Sequence, residues 1–200
     1  MRIVLLIRHG LVSGDAEERF LGAADAPMSP VGEAQIRELS ARLRPRFTLD
    51  AIYCSDLSRS QRTAELIANG AVVPIRVRPA LREIDMGDWQ GLSRRELAAQ
   101  RPADYAARGR DIVNFRPPGG ESFADLAARA LPCWHDIAED DGAQVVAIAG
   151  HAGVNRVILC HLLGAPLANL FRIGQRPACV NVIEWGKSEP VVALINGDGL

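Results

Sequence analysis

Short apolar runs rich in Val and Ile alternate with longer amphipathic stretches, and this alternation constrains the fold more than any other feature. The apolar runs predict strands at residues 3–7, 50–54, 75–77, 144–150, 180–185 and 191–195. Strands this continuous in apolar residues are typical of a parallel sheet that is covered by helices on both faces. The sequence therefore predicts an α/β fold, a three-layer α/β/α sandwich around a mostly parallel, doubly wound sheet.

The amphipathic stretches predict the helices of the two outer layers. The main helices are expected at residues 30–44, 56–68, 122–139 and 153–163. Pro30 would occupy the first helical position of the first helix, and Ser55 is expected to cap the second. Pro132 lies inside the third helix, where a missing N–H should kink or split it.

Residues 84–120 differ in character from the rest of the chain. They combine Gly, Pro and several arginines with one short helical pattern at 93–100. We interpret this stretch as an insertion, or cap, over the sheet edge within a single domain that spans residues 1–200.

Charge and cysteine content exclude several classes of partner and cofactor. The chain has a formal net charge of -1, so it offers no overall field for nucleic acid or an anionic membrane. No apolar run approaches membrane-spanning length. The cysteines are widely spaced without a C-x-x-C pair, which predicts reduced, buried thiols in a cytoplasmic protein and no zinc site: Cys54, Cys133, Cys160 and Cys179.

Two of the predicted strands end in a histidine. The first is followed by Arg8 and His9, and the fourth by His151. Ligands bind at the carboxyl ends of strands in open α/β sheets, and Arg59 lies at the same edge in the first turn of its helix. The helix start at Gly153 would add free N–H groups that suit an anion. This set of side chains fits a phosphoryl group, because guanidinium forks pair with its oxygens and an imidazole can attack phosphorus.

Five segments occur in an order and spacing that resemble the histidine phosphatase superfamily, which includes the cofactor-dependent phosphoglycerate mutases. These segments are LLIRHG (5–10), CSDLSRSQRTAELIA (54–68), LREIDMGDWQGLS (81–93), PGGESFADLAAR (118–129) and VVAIAGHAGVNRVIL (145–159). The resemblance extends from Ile3 to the C-terminal LINGDGL. It implies a phosphoglycerate mutase-like fold.

The resemblance also implies a role for each residue of the strand-tip cluster. His9 is similar to the nucleophile that becomes phosphohistidine, and Arg8 and Arg59 resemble the arginines that hold the phosphoryl oxygens. His151 resembles the second histidine of the pocket. Glu83 is similar to the carboxyl group that protonates the leaving oxygen and then activates water.

Further residues complete the expected site. Ala152 and Arg19 are assigned to the phosphate-binding set with the strand-tip residues. Asp85, Asp88 and Glu121 lie near Glu83 in sequence and compete with it for the role of proton donor. No metal and no other cofactor is expected, since no acidic residues show metal-ligand spacing. His135 and His161 are interpreted as solvated and packing residues.

One segment departs from the family pattern. After Gly10 the chain reads LVSGD, which places Asp15 where many relatives have an asparagine that contacts phosphate. Either the loop is rearranged so that Asp15 points away, or the substrate differs.

These features predict metal-independent hydrolysis of a phosphomonoester through phosphohistidine, with a small phosphorylated metabolite as partner. Alternatives are a phosphoglycerate mutase and a catalytically silent phosphate-binding module. One or two arginines of the cap are expected to recognise substrate, among Arg94, Arg95, Arg108, Arg110 and Arg116. The strand pair at 180–195 could also form the edge of a homodimer.

Overall fold

A computed structural model describes residues 2–13, 19–140, 142–185 and 189–198. Within this part of the chain, six strands form one sheet in the order β3-β2-β4-β1-β5-β6. The strands are β1 (Arg2–Arg8), β2 (Ala51–Cys54), β3 (Ile75–Val77), β4 (Val145–Gly150), β5 (Val180–Trp185) and β6 (Val191–Gly197). All six predicted strands are present.

The helices flank the sheet and connect its strands. The α-helices are α1 (Pro30–Leu43), α2 (Ser58–Ala68), α3 (Arg94–Gln100), α4 (Pro102–Arg110), α5 (Phe123–Ala138) and α6 (Ala152–Leu162). Short 3₁₀ helices occur at Pro79–Leu81, Gly87–Trp89 and Leu167–Arg172. No helix among the described residues is long and apolar enough to cross a membrane.

Four adjacent strands are parallel, as the sequence predicts, and two are not. β4 pairs in parallel with β1 and β2, and β3 pairs in parallel with β2. β5 is antiparallel to β1, and β6 is antiparallel to β5. The sheet is therefore mostly parallel with an antiparallel edge. A homodimer through that edge and a cytoplasmic location stay predictions.

Helices cover both faces of the sheet, which confirms the three-layer architecture. On one face, Leu5 and Ile7 of β1 pack into a buried cluster with Ile36 and Leu39 of α1. On the other face, a larger buried cluster joins the sheet to α5 and α6. β1 contributes to both clusters because its successive side chains point to opposite faces.

The segment 84–120 contains a helix that the sequence pattern did not reveal. Besides α3, which begins with a capping box between Ser93 and Glu96, the chain forms α4 directly afterwards. None of the residues of α4 is buried, so it has no continuous apolar stripe to detect. Trp89 and Leu97 of this segment are fully buried in the cluster with α5 and α6. The single-domain organisation with a cap at 84–120 stays a prediction.

One local prediction is wrong, and a second is wrong in part. α2 begins at Ser58 after Leu57 and has no side-chain cap, so Ser55 is not its cap residue. The Ser55 hydroxyl has another partner, described below. α5 continues through Pro132 without splitting, although the proline has no N–H to donate, and the alternative of a kink at Pro132 stays a prediction.

Gly10 contacts the start of α1 so closely that no side chain fits there. A Cβ at this position would overlap the carbonyl oxygen of Gly32, and a Cβ at Gly32 would overlap the carbonyl oxygen of Leu11. The turn after His9 and the first turn of α1 are thus packed backbone against backbone. Gly10 is required by this contact with α1.

We predict that Gly10→Ala destabilises the protein by about 1–3 kcal/mol and lowers activity, because the overlap can be relieved only by backbone movement next to His9. Urea unfolding monitored by circular dichroism measures the first effect. Gly109→Ala is the matched control, since a Cβ at Gly109 in α4 meets nothing within 4 Å. Equal stability of the two variants would contradict this reading of the packing.

Candidate active site

The predicted site residues converge at the carboxyl ends of β1 and β4. Arg8 is paired with Gly150 across the two parallel strands, so His9 and His151 follow at the same level. A cavity of about 300 Å³ opens there. Its walls include six of the residues expected from the sequence: Arg8, His9, Arg19, Arg59, Glu83 and Ala152.

The hydrogen bond that His9 makes leaves one ring nitrogen available as a nucleophile. Nδ1 lies 2.8 Å from the carbonyl oxygen of Gly10, which can only accept, so Nδ1 carries the proton. Nε2 of a neutral ring then keeps its lone pair. Burial of the ring, together with the charges of Arg59 and Arg8, lowers its pKa to about 3. His9 is therefore neutral at physiological pH.

His151 is fully buried, and its ring packs against that of His9. The ring centroids of the two histidines are 5.3 Å apart, and their planes are inclined by 62°. Nε2 of His151 lies 2.8 Å from the Ser55 hydroxyl, whereas Nδ1 is buried without a hydrogen-bond partner among the described residues. Burial and the neighbouring His9 and Arg59 lower the pKa of His151 well below its usual value. His151 is not among the residues that line the cavity.

Ser55 belongs to the site, although the sequence predicted it as the cap of the second helix. It follows β2 directly and is fully buried. Its hydroxyl also accepts a hydrogen bond from the N–H of Leu57 at 3.2 Å. Ser55 therefore fixes the orientation of the His151 ring.

Main-chain carbonyl groups hold the two arginines in place. Arg59 is only 1% exposed, and its guanidinium donates to the carbonyl oxygens of Ala24 at 2.6 Å and Gly22 at 2.7 Å. Arg8 donates to the carbonyl oxygen of Gln175 at 2.6 Å. Neutral acceptors orient these guanidinium groups without cancelling their charge, which leaves the cavity cationic.

The residue that accepts the hydrogen bond of Arg8, Gln175, belongs to a buried network of amide side chains. The Gln175 side chain accepts from Asn155 of α6 at 3.0 Å and donates to Asn181 of β5 at 2.7 Å. Asn181 donates in turn to the carbonyl oxygen of Leu6 at 2.8 Å. Sequence reasoning did not find this network, because separate amide residues carry no spacing signal. It ties the loop that holds Arg8 to α6 and to the antiparallel strand β5.

The Glu83 carboxylate faces the cavity and bonds to the N-terminus of α6. Oε2 accepts from the N–H of Gly153 and Oε1 from the N–H of Ile84, each at 2.9 Å. The helix N-terminus that was expected to bind an anion thus holds the Glu83 side chain. A Cβ at Gly153 would overlap this carboxylate.

The three competitors of Glu83 lie outside the inner cavity. Asp85 accepts from the N–H of Gly87, and Glu121 pairs with Arg129. Asp88 is 4.0 Å from Arg101. Among the described acidic residues, only Glu83 lines the cavity that contains His9.

Arg19 reaches the rim of the site. Its guanidinium donates to the carbonyl oxygen of Gly91 at 2.7 Å and pairs with Glu96 at 3.0 Å. Asp15, at the position where many relatives have asparagine, lies outside the described residues. Val12 lines the cavity and makes an isolated bridge with Met28.

A second, wider chamber of about 510 Å³ adjoins the inner cavity and shares part of its wall. Its aromatic lining comes from Phe20, Tyr105, Phe123 and Phe171, and its arginines besides Arg19 are Arg94, Arg108 and Arg156. Of the cap arginines proposed from the sequence, Arg94 and Arg108 line the chamber, whereas Arg116 pairs with Asp125. Arg156 was not predicted, since it lies on α6 within an apolar sequence.

No group of three or more His, Cys, Asp or Glu side chains that could hold a metal ion occurs in the described ranges. His135 of α5 and His161 of α6 do meet, with ring centroids 5.1 Å apart.

Residues 4–198 match the family described as histidine phosphatase superfamily (branch 1). The chain belongs to this family. It is 30% identical to the adenosylcobalamin/alpha-ribazole phosphatase of Salmonella typhimurium over 191 residues, which are 96% of this chain and 94% of the relative. It is 33% identical to the glucosyl-3-phosphoglycerate phosphatase of Mycolicibacterium vanbaalenii over 84% of this chain and 77% of that protein.

The fold is likewise shared with solved structures of the family. A putative alpha-ribazole-5'-P phosphatase from Escherichia coli superposes with a TM-score of 0.91 at 25% identity. The match covers 100% of this chain and 98% of that chain. The fold class expected from the strand and helix pattern is therefore confirmed.

We predict that the neutral His9 makes stability fall on acidification below pH 6.5. The unfolded chain takes up a proton near pH 6.5, whereas folded His9 does so only near 3, so the free energy of unfolding decreases as pH falls through this window. The slope attributable to His9 is about 1.4 kcal/mol per pH unit.

Urea unfolding of the wild type and His9→Gln between pH 7.5 and 5, in buffers free of phosphate, measures this slope. His9→Gln should lose stability less steeply than the wild type. His161→Gln, which replaces an exposed histidine outside the cavity, is the control variant. Identical slopes for wild type and His9→Gln would contradict the assigned neutral state.

Proposed function

We propose that the protein is a phosphomonoesterase that works through a phosphohistidine on His9, with a small phosphorylated metabolite as substrate. The observation that carries this proposal is a neutral, buried imidazole with a free Nε2 beside two arginines in a cationic cavity. The relatives named adenosylcobalamin/alpha-ribazole phosphatase and glucosyl-3-phosphoglycerate phosphatase support a phosphatase.

In the first step, Nε2 of His9 attacks phosphorus and the bond from phosphorus to the ester oxygen breaks. Arg8 and Arg59 pair with the phosphoryl oxygens, so their charge meets the negative charge as it spreads in the transition state. A protonated Glu83 gives its proton to the departing oxygen, and the alcohol leaves. The products of this step are phosphohistidine and the Glu83 carboxylate.

In the second step, water cleaves phosphohistidine. The Glu83 carboxylate takes a proton from the water as its oxygen bonds to phosphorus, and the nitrogen–phosphorus bond breaks. Inorganic phosphate leaves, while His9 and the protonated Glu83 are restored. His151, held by Ser55, keeps its ring against that of His9 throughout.

We predict that the wild type hydrolyses p-nitrophenyl phosphate in the presence of EDTA and that His9→Ala reduces the rate at least roughly a thousandfold. Brief exposure to ³²P-labelled substrate followed by alkaline quenching should leave an acid-labile, base-stable label on the wild type and none on His9→Ala. His135→Ala, which replaces a histidine outside both cavities, serves as the control.

Two results would instead support one of the alternatives, the silent phosphate-binding module or the phosphoglycerate mutase. If no ester in a broad panel is hydrolysed, the chain is a silent phosphate-binding module. If transfer between phosphoglycerates in the presence of 2,3-bisphosphoglycerate exceeds hydrolysis, the chain is a mutase.

The wider chamber indicates the chemistry of the leaving group. Arg108 has no hydrogen-bond or ion-pair partner among the described residues, and its guanidinium lies 5.4 Å from the ring centre of Phe20 and 5.7 Å from that of Phe171. The guanidinium of Arg156 lies 5.3 Å from the Phe171 ring centre. Burial lowers the pKa of both arginines.

Holding the two desolvated guanidinium groups of Arg108 and Arg156 together beside a single carboxylate is costly, and an anionic ligand offsets that cost. Glu83 is the one acidic side chain among the described residues that line this chamber, and it already bonds to two backbone N–H groups. We therefore propose that the leaving group carries a second anionic group, bound by Arg108 with Arg94 and Arg156.

We predict that kcat/KM for 3-phosphoglycerate exceeds that for glycerol 3-phosphate, which lacks the carboxylate, and that Arg108→Gln reduces this ratio roughly tenfold or more. Fructose 1,6-bisphosphate against fructose 6-phosphate tests a second phosphate in place of the carboxylate. Arg110→Gln, an exposed neighbour on α4, is the control. Equal efficiencies for both pairs would show that the leaving group is not selected by charge.

A further inference from the structure

Glu83 lies in a segment that belongs to no strand and no α-helix. It falls between the 3₁₀ helices Pro79–Leu81 and Gly87–Trp89. The partners of its own carboxylate are the N–H groups of Gly153 and Ile84. A proton donor must nevertheless stay within hydrogen-bond reach of the ester oxygen, so its backbone needs a fixed position.

One side chain of α5 reaches across to this segment and uses its entire guanidinium. Nη1 of Arg129 donates to the carbonyl oxygens of Ala80 at 2.8 Å and Arg82 at 2.7 Å. Nη2 donates to the carbonyl oxygen of Glu83 itself at 3.0 Å. Arg129 therefore holds the backbone at three points, two on the N-terminal side of Glu83 and one at Glu83 itself.

Glu121 completes the arrangement from the other side. It forms a two-pronged ion pair with Arg129, from Nε to Oε1 at 2.7 Å and from Nη2 to Oε2 at 2.8 Å. Oε2 also accepts from the N–H of Asp85 at 2.9 Å, and the N–H of Glu121 donates to the carbonyl oxygen of Asp85 at 2.8 Å. The backbone is thus held on both sides of Glu83.

We propose that the Arg129–Glu121 pair positions Glu83 for proton transfer to the leaving oxygen. The inference rests on the proposed function, in which Glu83 is the proton donor. Arg129 and Glu121 do not line the inner cavity, so they act through the backbone of Glu83 and are positioning residues.

α5 offers a matched ion pair that lacks this connection. Arg116 binds Asp125 with the same two-pronged geometry, at 2.9 Å from Nε and 2.6 Å from Nη2. Neither residue has a hydrogen bond to the segment 79–85 in the described structure. Removing this pair measures the effect of losing an ion pair beside α5 that does not contact the segment around Glu83.

The dependence of rate on the leaving group separates positioning from stability. An alkyl ester leaves as a strongly basic oxygen and needs the proton, whereas p-nitrophenolate is a weak base and departs without it. A displaced Glu83 therefore slows alkyl esters more than p-nitrophenyl phosphate. General loss of folded protein reduces all rates by the same factor.

The experiment measures kcat/KM for p-nitrophenyl phosphate, phenyl phosphate and glycerol 3-phosphate with Arg129→Gln, Glu83→Gln and Arg116→Gln. We expect Arg129→Gln to reduce the glycerol 3-phosphate value roughly tenfold more than the p-nitrophenyl phosphate value. Glu83→Gln should change the ratio in the same direction and more strongly. Arg116→Gln should leave the ratio as in the wild type.

Glu121→Gln is the second variant, because Arg129 keeps its bonds to the three carbonyl groups and the fold is less disturbed. It should shift the ratio in the same direction as Arg129→Gln, with thermal unfolding recorded for every variant. Adding Arg129→Gln to Glu83→Gln should change the ratio no further, since the two act on one step.

Uniform loss across the three esters in both Arg129→Gln and Glu121→Gln would overturn the positioning role. If Glu83→Gln shifts the ratio and the pair variants do not, the proposed function stands and this inference fails. If Glu83→Gln itself leaves the ratio unchanged, Glu83 is not the proton donor and both fail.

Discussion

Parallel pairing of β1 with β4, in the register that sets Arg8 opposite Gly150, is the constraint on which the site depends. Both strands are buried and rich in apolar residues, so a shift of one residue would turn each core side chain to the wrong face. The hydrophobic pattern that fixes the register thereby also fixes the separation of His9 and His151. The relative positions of the two histidines at the strand ends are therefore set by the packing of core side chains elsewhere along β1 and β4.

The second constraint is electrostatic. Two buried imidazoles stand beside two guanidinium groups, and burial together with those charges keeps the pKa of each imidazole low. The rings therefore remain neutral, and the arginines, oriented by carbonyl oxygens, keep their full charge. The site carries an excess of positive charge that a phosphoryl group complements. The same reasoning applies in the wider chamber, where Arg108 is stacked on aromatic rings without an acidic partner among the described residues.

The sequence was sufficient to predict the layers, the strands and the strand-tip residues, because these follow from hydrophobic periodicity and from adjacent residues such as Arg8 and His9. It failed where position depends on a contact between distant segments. Ser55 has the residue type and position expected of a helix cap in the sequence. Only the pairing of β2 with β4 brings its hydroxyl to His151. α4 was missed because it buries no side chain, and the aromatic support of Arg108 joins residues far apart in the chain.

Glu83 shows why such distant contacts matter for function. His9 and His151 directly follow strands of the sheet, whereas Glu83 lies in a loop and, in the proposed mechanism, serves first as acid and then as base at one place. Its carboxylate bonds to the start of α6, the helix that follows His151, so Glu83 and His151 are both positioned by this helix. The hydrogen bonds from Arg129 and Glu121 connect the backbone around Glu83 to α5, and α5 packs against α6 in the same buried cluster. His9, His151 and Glu83 are thus connected through the sheet, α5 and α6, and the proposed mechanism requires these packed elements, more than any single hydrogen bond, to keep the Glu83 carboxylate near His9.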